Sequence, residues 1–136
     1  MTGHDSAEAL RRAIAMYEFD TLLTTLNPVS RRRPYREELL AAAQGKQMGV
    51  IAMKVMGGGN GCLVTGNPAR KVLRPYHDQT DHQVAPSALI RYALGLPAST
   101  AVIGVANPAQ LIANAAATRS SPLDPAARRE LERLIG

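Results

Sequence analysis

The sequence predicts an α/β fold on a parallel sheet, and three features predict it. Helical patterns alternate with short apolar runs, and each run is separated from the next by a helix, an order of α-β-α-β-α-β-α-α. Connections that long suit parallel strands joined by right-handed crossovers, not hairpins. One run, Gly49 to Val55 (GVIAMKV), is nearly all apolar, as expected of a strand covered on both faces.

Asp5 followed by Glu8 reads as a capping box with Asp5 as N-cap. Leu10, Ala13, Ile14 and Tyr17 then recur at the spacing of one helix face. Phe19 to Leu26 (FDTLLTTL) reads as a strand, stopped at Asn27-Pro28 because proline cannot donate to a ladder. Ser30 to Pro34 is a basic loop, and Pro34 suits the first turn of a helix that presents Leu39, Leu40 and Ala43 and closes near Gly45.

After the Gly49–Val55 strand, Gly57 to Pro68 (GGGNGCLVTGNP) is a loop by composition, and Ala69 to His82 carries no clear pattern. A helix follows from Pro86 to Leu96, with Leu89, Ala93 and Leu96 inward, and Pro97 ends it. Thr100 to Val105 (TAVIGV) reads as a third buried strand. Asn107-Pro108 supplies an N-cap and a proline at the first helical position for a helix through Leu111 and Ala115. A last helix starts at Asp124-Pro125 and carries Leu131, Leu134 and Ile135. About three strands do not close a barrel, and the edges of so small a sheet need protection, so part of the structure is expected to lie outside the chain.

At 136 residues, 46% hydrophobic and 20% charged, the chain fits one folded domain or a piece of a larger one. One cysteine, Cys62, excludes an internal disulfide and a cysteine-rich metal module. No apolar run approaches the roughly 18–20 residues of a membrane span, and no basic-then-apolar segment opens the chain, which predicts a cytoplasmic protein away from membranes. The net charge of +5 makes anionic ligands plausible. The excess sits in Arg11-Arg12, Arg31-Arg32-Arg33 and Arg36, which read as a solvated face. With 4% aromatic residues and no recognition motif, nucleic acid is not the expected partner.

In a parallel α/β sheet, ligands sit beyond the carboxyl ends of the strands. Those ends are Leu26-Asn27-Pro28, Met53 to Gly59, and Gly104 to Asn107. Gly57-Gly58-Gly59 and Gly61 let the backbone approach a ligand closely, and the helix opening at Asn107 favours an anion. Neither is a P-loop or a G-x-G-x-x-G fingerprint. Lys54 ends an apolar strand, where its stem packs while its head reaches solvent or a ligand's phosphates or amide. His77-Asp78 and Asp81-His82 could be drawn as a metal site, but a solvated loop is favoured and no metal is expected. Cys62 has no defined histidine partner. The residues alone describe a place to bind an anion and no evident machinery for a reaction.

GVIAMKVMGGG followed by LIRYALGLPASTAVIGVANPAQLIAN resembles the carboxyl-terminal part of the aldo-keto reductases, NAD(P)H-dependent oxidoreductases built on a (β/α)8 TIM barrel. The resemblance runs from about Met1 to Thr118, residues 1–118 forming the carboxyl-terminal half of such a barrel and residues 119–136 a terminal helix. Thr2-Gly3-His4 resembles the end of the fifth barrel strand, FDTLLTTLNP the sixth, GVIAMKVMGGG the seventh and STAVIGVANP the eighth. The fold it implies is a partial barrel of three to four parallel strands with flanking helices.

The resemblance also implies a cofactor, NADP or NAD. Met53, Lys54, Met56 and Gly58 would lie along its pyrophosphate and nicotinamide. Gly104, Val105, Ala106, Gln110 and Asn114 would hold the adenosine phosphate and adenine, and His4 or Gly3 stands near the carboxamide. Many members carry a Lys and a Ser at Gly104 and Val105, an Arg at Gln110, a Gln at Leu23 and a stacking Tyr at Leu26. Only Asn114 matches a common contact directly. The family's catalytic Asp, Tyr, Lys and His belong to the first four strands, so none is expected here. The expectation is a fragment that keeps the cofactor rim and lacks the catalytic groups. The alternative is a non-catalytic half-barrel that self-associates or completes an amino-terminal half-barrel.

Overall fold

A computed structural model describes residues 1–29, 32–58, 62–65 and 84–135. The strands are β1 (Thr2–Gly3), β2 (Thr21–Thr25), β3 (Gly49–Met53) and β4 (Thr100–Ala101). The helices are α1 (Ala7–Met16), α2 (Leu40–Gly45), α3 (Cys62–Thr65), α4 (Pro86–Leu94), α5 (Pro108–Thr118) and α6 (Pro125–Ile135). The four strands form one parallel sheet in the order β1-β2-β3-β4. Each new strand is added on the same side of the last, so right-handed crossovers put the helices on one face. That is the winding of part of a barrel. A doubly wound sheet would reverse its strand order.

The in-register pairing shows which face the helices cover. Gly3 pairs with Thr24 and Thr24 with Ala52. A Cβ on Gly3 would stand 2.6 Å from Leu10 Cδ2, so α1 lies against this face and glycine is what permits so close an approach. Leu22, Thr24, Val50 and Ala52 are buried here, in one core with Leu10, Ile14, Leu39, Leu40, Ala43, Leu89, Ile90 and Ala93. On the other face Leu23, Ile51 and Met53 are only half-buried. The apolar run of β3 is therefore fully covered on one face and partly covered on the other, where Thr25 beside Met53 is buried.

Packing outweighs capping in holding the helices. Ala85 before α4 makes no side-chain cap bond, a loss of about 1 kcal/mol. Burial of Leu89 and Ile90 offsets it, at roughly 2 kcal/mol each. At α1 the cap is Ser6, not Asp5: Ser6 Oγ accepts from Ala9 N at 3.1 Å. Tyr17 ends α1 as a 60% exposed residue outside the core face. Asn107 caps α5 through Gln110 N at 2.9 Å, and Asp124 Oδ1 accepts from Ala126 N and Ala127 N at the start of α6. On α6, Leu131 and Ile135 are buried and Leu134 faces out.

Three further expectations are corrected. The helix after the basic loop opens as a π-helix, Tyr35–Leu39, before continuing as α2. The basic run is not all solvated: Arg32 and Arg36 are buried. Arg36 Nη1 donates to Asn27 O (3.0 Å) and Val29 O (2.9 Å), closing the turn after β2. At the other edge, only Thr100–Ala101 of the expected Thr100–Val105 strand pairs as a strand, and Val102 and Val105 are exposed. Past Ala101 the pairing to β3 continues through a bond from Val102 N to Ala52 O at 2.8 Å.

Candidate functional site

The carboxyl ends of the strands meet at one rim. β3 runs out at Met53 and the chain turns sharply at Lys54, whose φ of 53° lies in the left-handed region that side chains other than glycine avoid, a cost of order 1 kcal/mol. Two donors hold this turn: Asn27 Nδ2 and Gly57 N both bond Lys54 O at 2.9 Å. Asn27, at the end of β2, is itself fixed, its Oδ1 accepting from Val29 N at 3.2 Å. Gly57 and Gly58 follow with φ of 88° and 93°, values that glycine adopts without strain. Strained backbone gathered at strand tips is typical of functional sites, where the surrounding structure enforces it.

From β1, His4 reaches the same point. Lys54 Nζ lies 3.0 Å from His4 Nδ1, and that nitrogen is 2.8 Å from Asp5 Oδ1. Arg32 Nη1 holds the His4 carbonyl at 2.9 Å. The rim from β1 to β3 is thus cross-linked by side chains that sequence spacing does not connect.

Between the tips of β3 and β4 and the first turns of α5 lies an open cavity of about 600 Å³, within the roughly 300–1,000 Å³ usual for small-molecule sites. Of the ten residues singled out from the sequence, Lys54, Met56, Gly58, Gly104, Val105, Ala106, Gln110 and Asn114 line it. His4 reaches it only through Lys54, and Met53 sits on β3 in register with Thr25. Val55, Val64, Pro86, Val102 and Ile103 complete the wall. Of these, Val64 comes from α3, inside a stretch that composition marks as loop, and only the fold reveals it.

The cavity is apolar along the β4 segment and polar at its ends. Lys54 lines one end, its Nζ 3.0 Å from His4 Nδ1. At the other, α5 directs its amino-terminal backbone and dipole inward, which favours an anion. Gln110 Oε1 accepts from Ala106 N at 2.8 Å, so the Gln110 side chain folds back over this loop. A Cβ on Gly104 would meet nothing within 4 Å. The absence of a side chain there keeps the cavity open.

A second cavity of about 380 Å³ lies between α4 and α6, lined by Arg91, Tyr92, Arg128 and Glu132 among others. Its carboxylate is multiply bonded. Glu132 accepts from Tyr92 Oη at 2.5 Å and pairs with Arg36 and Arg128 at 3.7 and 3.6 Å. Burial, and then this hydrogen bond, raise the Tyr92 phenol well above its ordinary value. These contacts fasten α6 to the body of the protein.

Among the described residues no group of three or more His, Cys, Asp and Glu could hold a metal, and no helix is long and apolar enough to cross a membrane. The His77–His82 cluster, Gly59, Gly61 and Arg31 lie outside the described residues.

No family model and no curated protein matches the chain. Solved structures do. The aldo-keto reductase AKR11C1 from Bacillus halodurans superposes in its apo form with a TM-score of 0.70 at 16% identity, over 99% of this chain and 50% of that one. Its holo form gives a TM-score of 0.71, again at 16% identity, over 99% and 49%. The fold is therefore that of a partial TIM barrel of the aldo-keto reductase type, and the chain spans about half the length of the structures it matches.

Proposed function

We propose that this chain supplies the dinucleotide-binding rim of an aldo-keto-reductase-like barrel, with NAD or NADP as its ligand. The observation that carries the reading is the convergence of eight residues, chosen from the sequence, on one cavity at the strand tips. A parallel α/β sheet of this winding places ligands at that rim.

The residues present suit such a ligand. Lys54 offers a positive charge to a pyrophosphate, and the left-handed Gly57-Gly58 turn lets the backbone come close to it. Val102, Ile103 and Val105 give an apolar wall, and the α5 amino terminus a second place for a phosphate. Asn114, half-buried one turn further along α5, offers an amide that would suit an adenine edge. Since Gln110 already occupies Ala106 N, a phosphate bound there displaces the Gln110 side chain.

When bound, a nicotinamide supplies the hydride that reduces a carbonyl. The chain's own part in this reading is to bind and orient that group. The resemblance puts the proton donor on barrel strands outside the matched region, so carbonyl reduction by residues 1–136 alone is not expected. Titration of NADH and of NADPH into the protein, followed by nicotinamide fluorescence, tests the proposal. Saturable binding supports it, and no response at millimolar dinucleotide refutes it.

A further inference from the structure

We propose that Lys54 is a carbonyl-capturing amine: it gives a proton to His4 and condenses through Nζ with an apolar aldehyde held in the rim cavity. The proposal rests on the geometry around Lys54 and not on the dinucleotide reading.

Lys54 occupies a backbone position that suits glycine. Its φ of 53° is left-handed, and two donors to its carbonyl, Asn27 Nδ2 and Gly57 N, hold it there. Glycine meets such geometry without strain, as Gly57 and Gly58 do. The lysine meets it with its side chain lining the cavity and Nζ 3.0 Å from His4 Nδ1. The turn therefore fixes where an amine stands.

An ammonium is not a nucleophile. The neutral amine is, and a neighbouring base supplies it. His4 Nδ1 lies 3.0 Å from Lys54 Nζ and 2.8 Å from Asp5 Oδ1. A proton that passes from Nζ to Nδ1 is at once in hydrogen-bond reach of a carboxylate, which stabilises the imidazolium. Arg32 Nη1 bonds the His4 carbonyl at 2.9 Å and steadies the residue from its backbone side. Away from Lys54, the wall of the cavity includes Val55, Val64, Val102, Ile103 and Val105. A carbonyl head at Lys54 and an apolar body along these side chains fit that distribution.

The step balances without a change of oxidation state. Lys54 Nζ starts with three hydrogens, and His4 takes one of them. The Nζ lone pair then attacks the carbonyl carbon, and the C–N bond forms. The carbonyl oxygen receives the proton back from His4 and a second hydrogen from nitrogen, and leaves as water. The product is the protonated imine.

Reductive trapping tests this. The 136-residue chain is incubated with benzaldehyde and sodium cyanoborohydride, and the secondary amine formed is located by peptide mass mapping. The chain has three lysines, and Lys46, which pairs with Glu18 at 2.8 Å, serves as the reference. Lys54 is expected to react at least about tenfold faster than Lys46, a modest share of what a positioned base contributes. His4→Gln removes that advantage, and Asp5→Asn lowers it. The Asp5 side chain is 79% exposed, and far-UV circular dichroism verifies that both variants are folded. The rate at Lys54 also carries an inflection in its pH profile that His4→Gln abolishes, a readout that a merely structural histidine would leave unmoved. Labelling of Lys54 no faster than that of Lys46 overturns the proposal. So does fast labelling that neither substitution slows. The NADH titration reads a different ligand of the cavity, so either proposal can fail alone.

Discussion

Lys54 Nζ and His4 Nδ1 stand 3.0 Å apart, joining the tip of β3 to the tip of β1 across the intervening β2. The same imidazole nitrogen is 2.8 Å from Asp5 Oδ1. One nitrogen cannot serve both neighbours in the same way. As N–H it donates to Asp5, and as a lone pair it accepts from the Lys54 ammonium. His4 Nδ1 thus stands between a cation and a carboxylate and ties the tip of β3 to that of β1.

Replacing Lys54 by Met keeps the stem and removes the charge. NADH affinity is expected to fall about tenfold, the effect of losing roughly 1.4 kcal/mol of charge-assisted contact. The same variant leaves His4 Nδ1 with Asp5 alone, so ¹⁵N NMR should report the Nδ1–H tautomer. Undiminished NADH affinity would remove Lys54 from the site.

Gly104→Val separates binding from folding. The new side chain projects where nothing lies within 4 Å, so the protein should keep its stability to within about 0.5 kcal/mol. The valine narrows the cavity that Gly104 lines, and dinucleotide binding should weaken. Thermal melts and NADH titration on the same sample check both halves.

Arg36→Met tests the turn behind the rim. The Arg36 side chain is 4% exposed, and its loss removes a charged donor from the Asn27 and Val29 carbonyls, of which Val29 O keeps its bond from Arg32 N at 2.9 Å. Urea denaturation should show a loss of about 2 kcal/mol, far above that of a solvated arginine, because a buried hydrogen bond from a charged donor is worth roughly 1.5–3 kcal/mol. Asn27 loosens with it, and with Asn27 one of the two bonds to Lys54 O.

Tyr92 sets an alkaline limit. Burial and the Glu132 hydrogen bond raise its phenol above the ordinary value of 10.0. The folded protein thus holds the proton more tightly than the unfolded chain. The stability this gives is complete below about pH 10 and is lost as pH rises beyond it. Phenolate absorbance of Tyr92 should appear together with unfolding, and Tyr92→Phe should flatten this part of the pH–stability curve.

The sequence made the strand–helix alternation legible because its signals are local. Asn107-Pro108 opens α5 where expected, and the Gly49–Val55 run marks β3 to within two residues. β1 is two residues long, too short for any periodicity, and only the resemblance located it. Asp5 and Ser6 are adjacent cap candidates, and the geometry of Ala9 N, not residue type, decides between them. The burial of Arg32 and Arg36 was not legible at all, since the carbonyls they bond, those of His4, Asn27 and Val29, come within their reach only once the strands are paired. The rim cavity was largely legible because it lies where consecutive strand tips must meet. Val64 was not, because it arrives from a loop.

The most direct test of the cofactor reading is an amide NMR titration of the protein with NADH. The reading predicts saturable shifts concentrated at Lys54, Met56, Gly58, Gly104 to Ala106, Gln110 and Asn114. Shifts centred on Arg91, Arg128 and Arg129 between α4 and α6, or none at millimolar NADH, would contradict it.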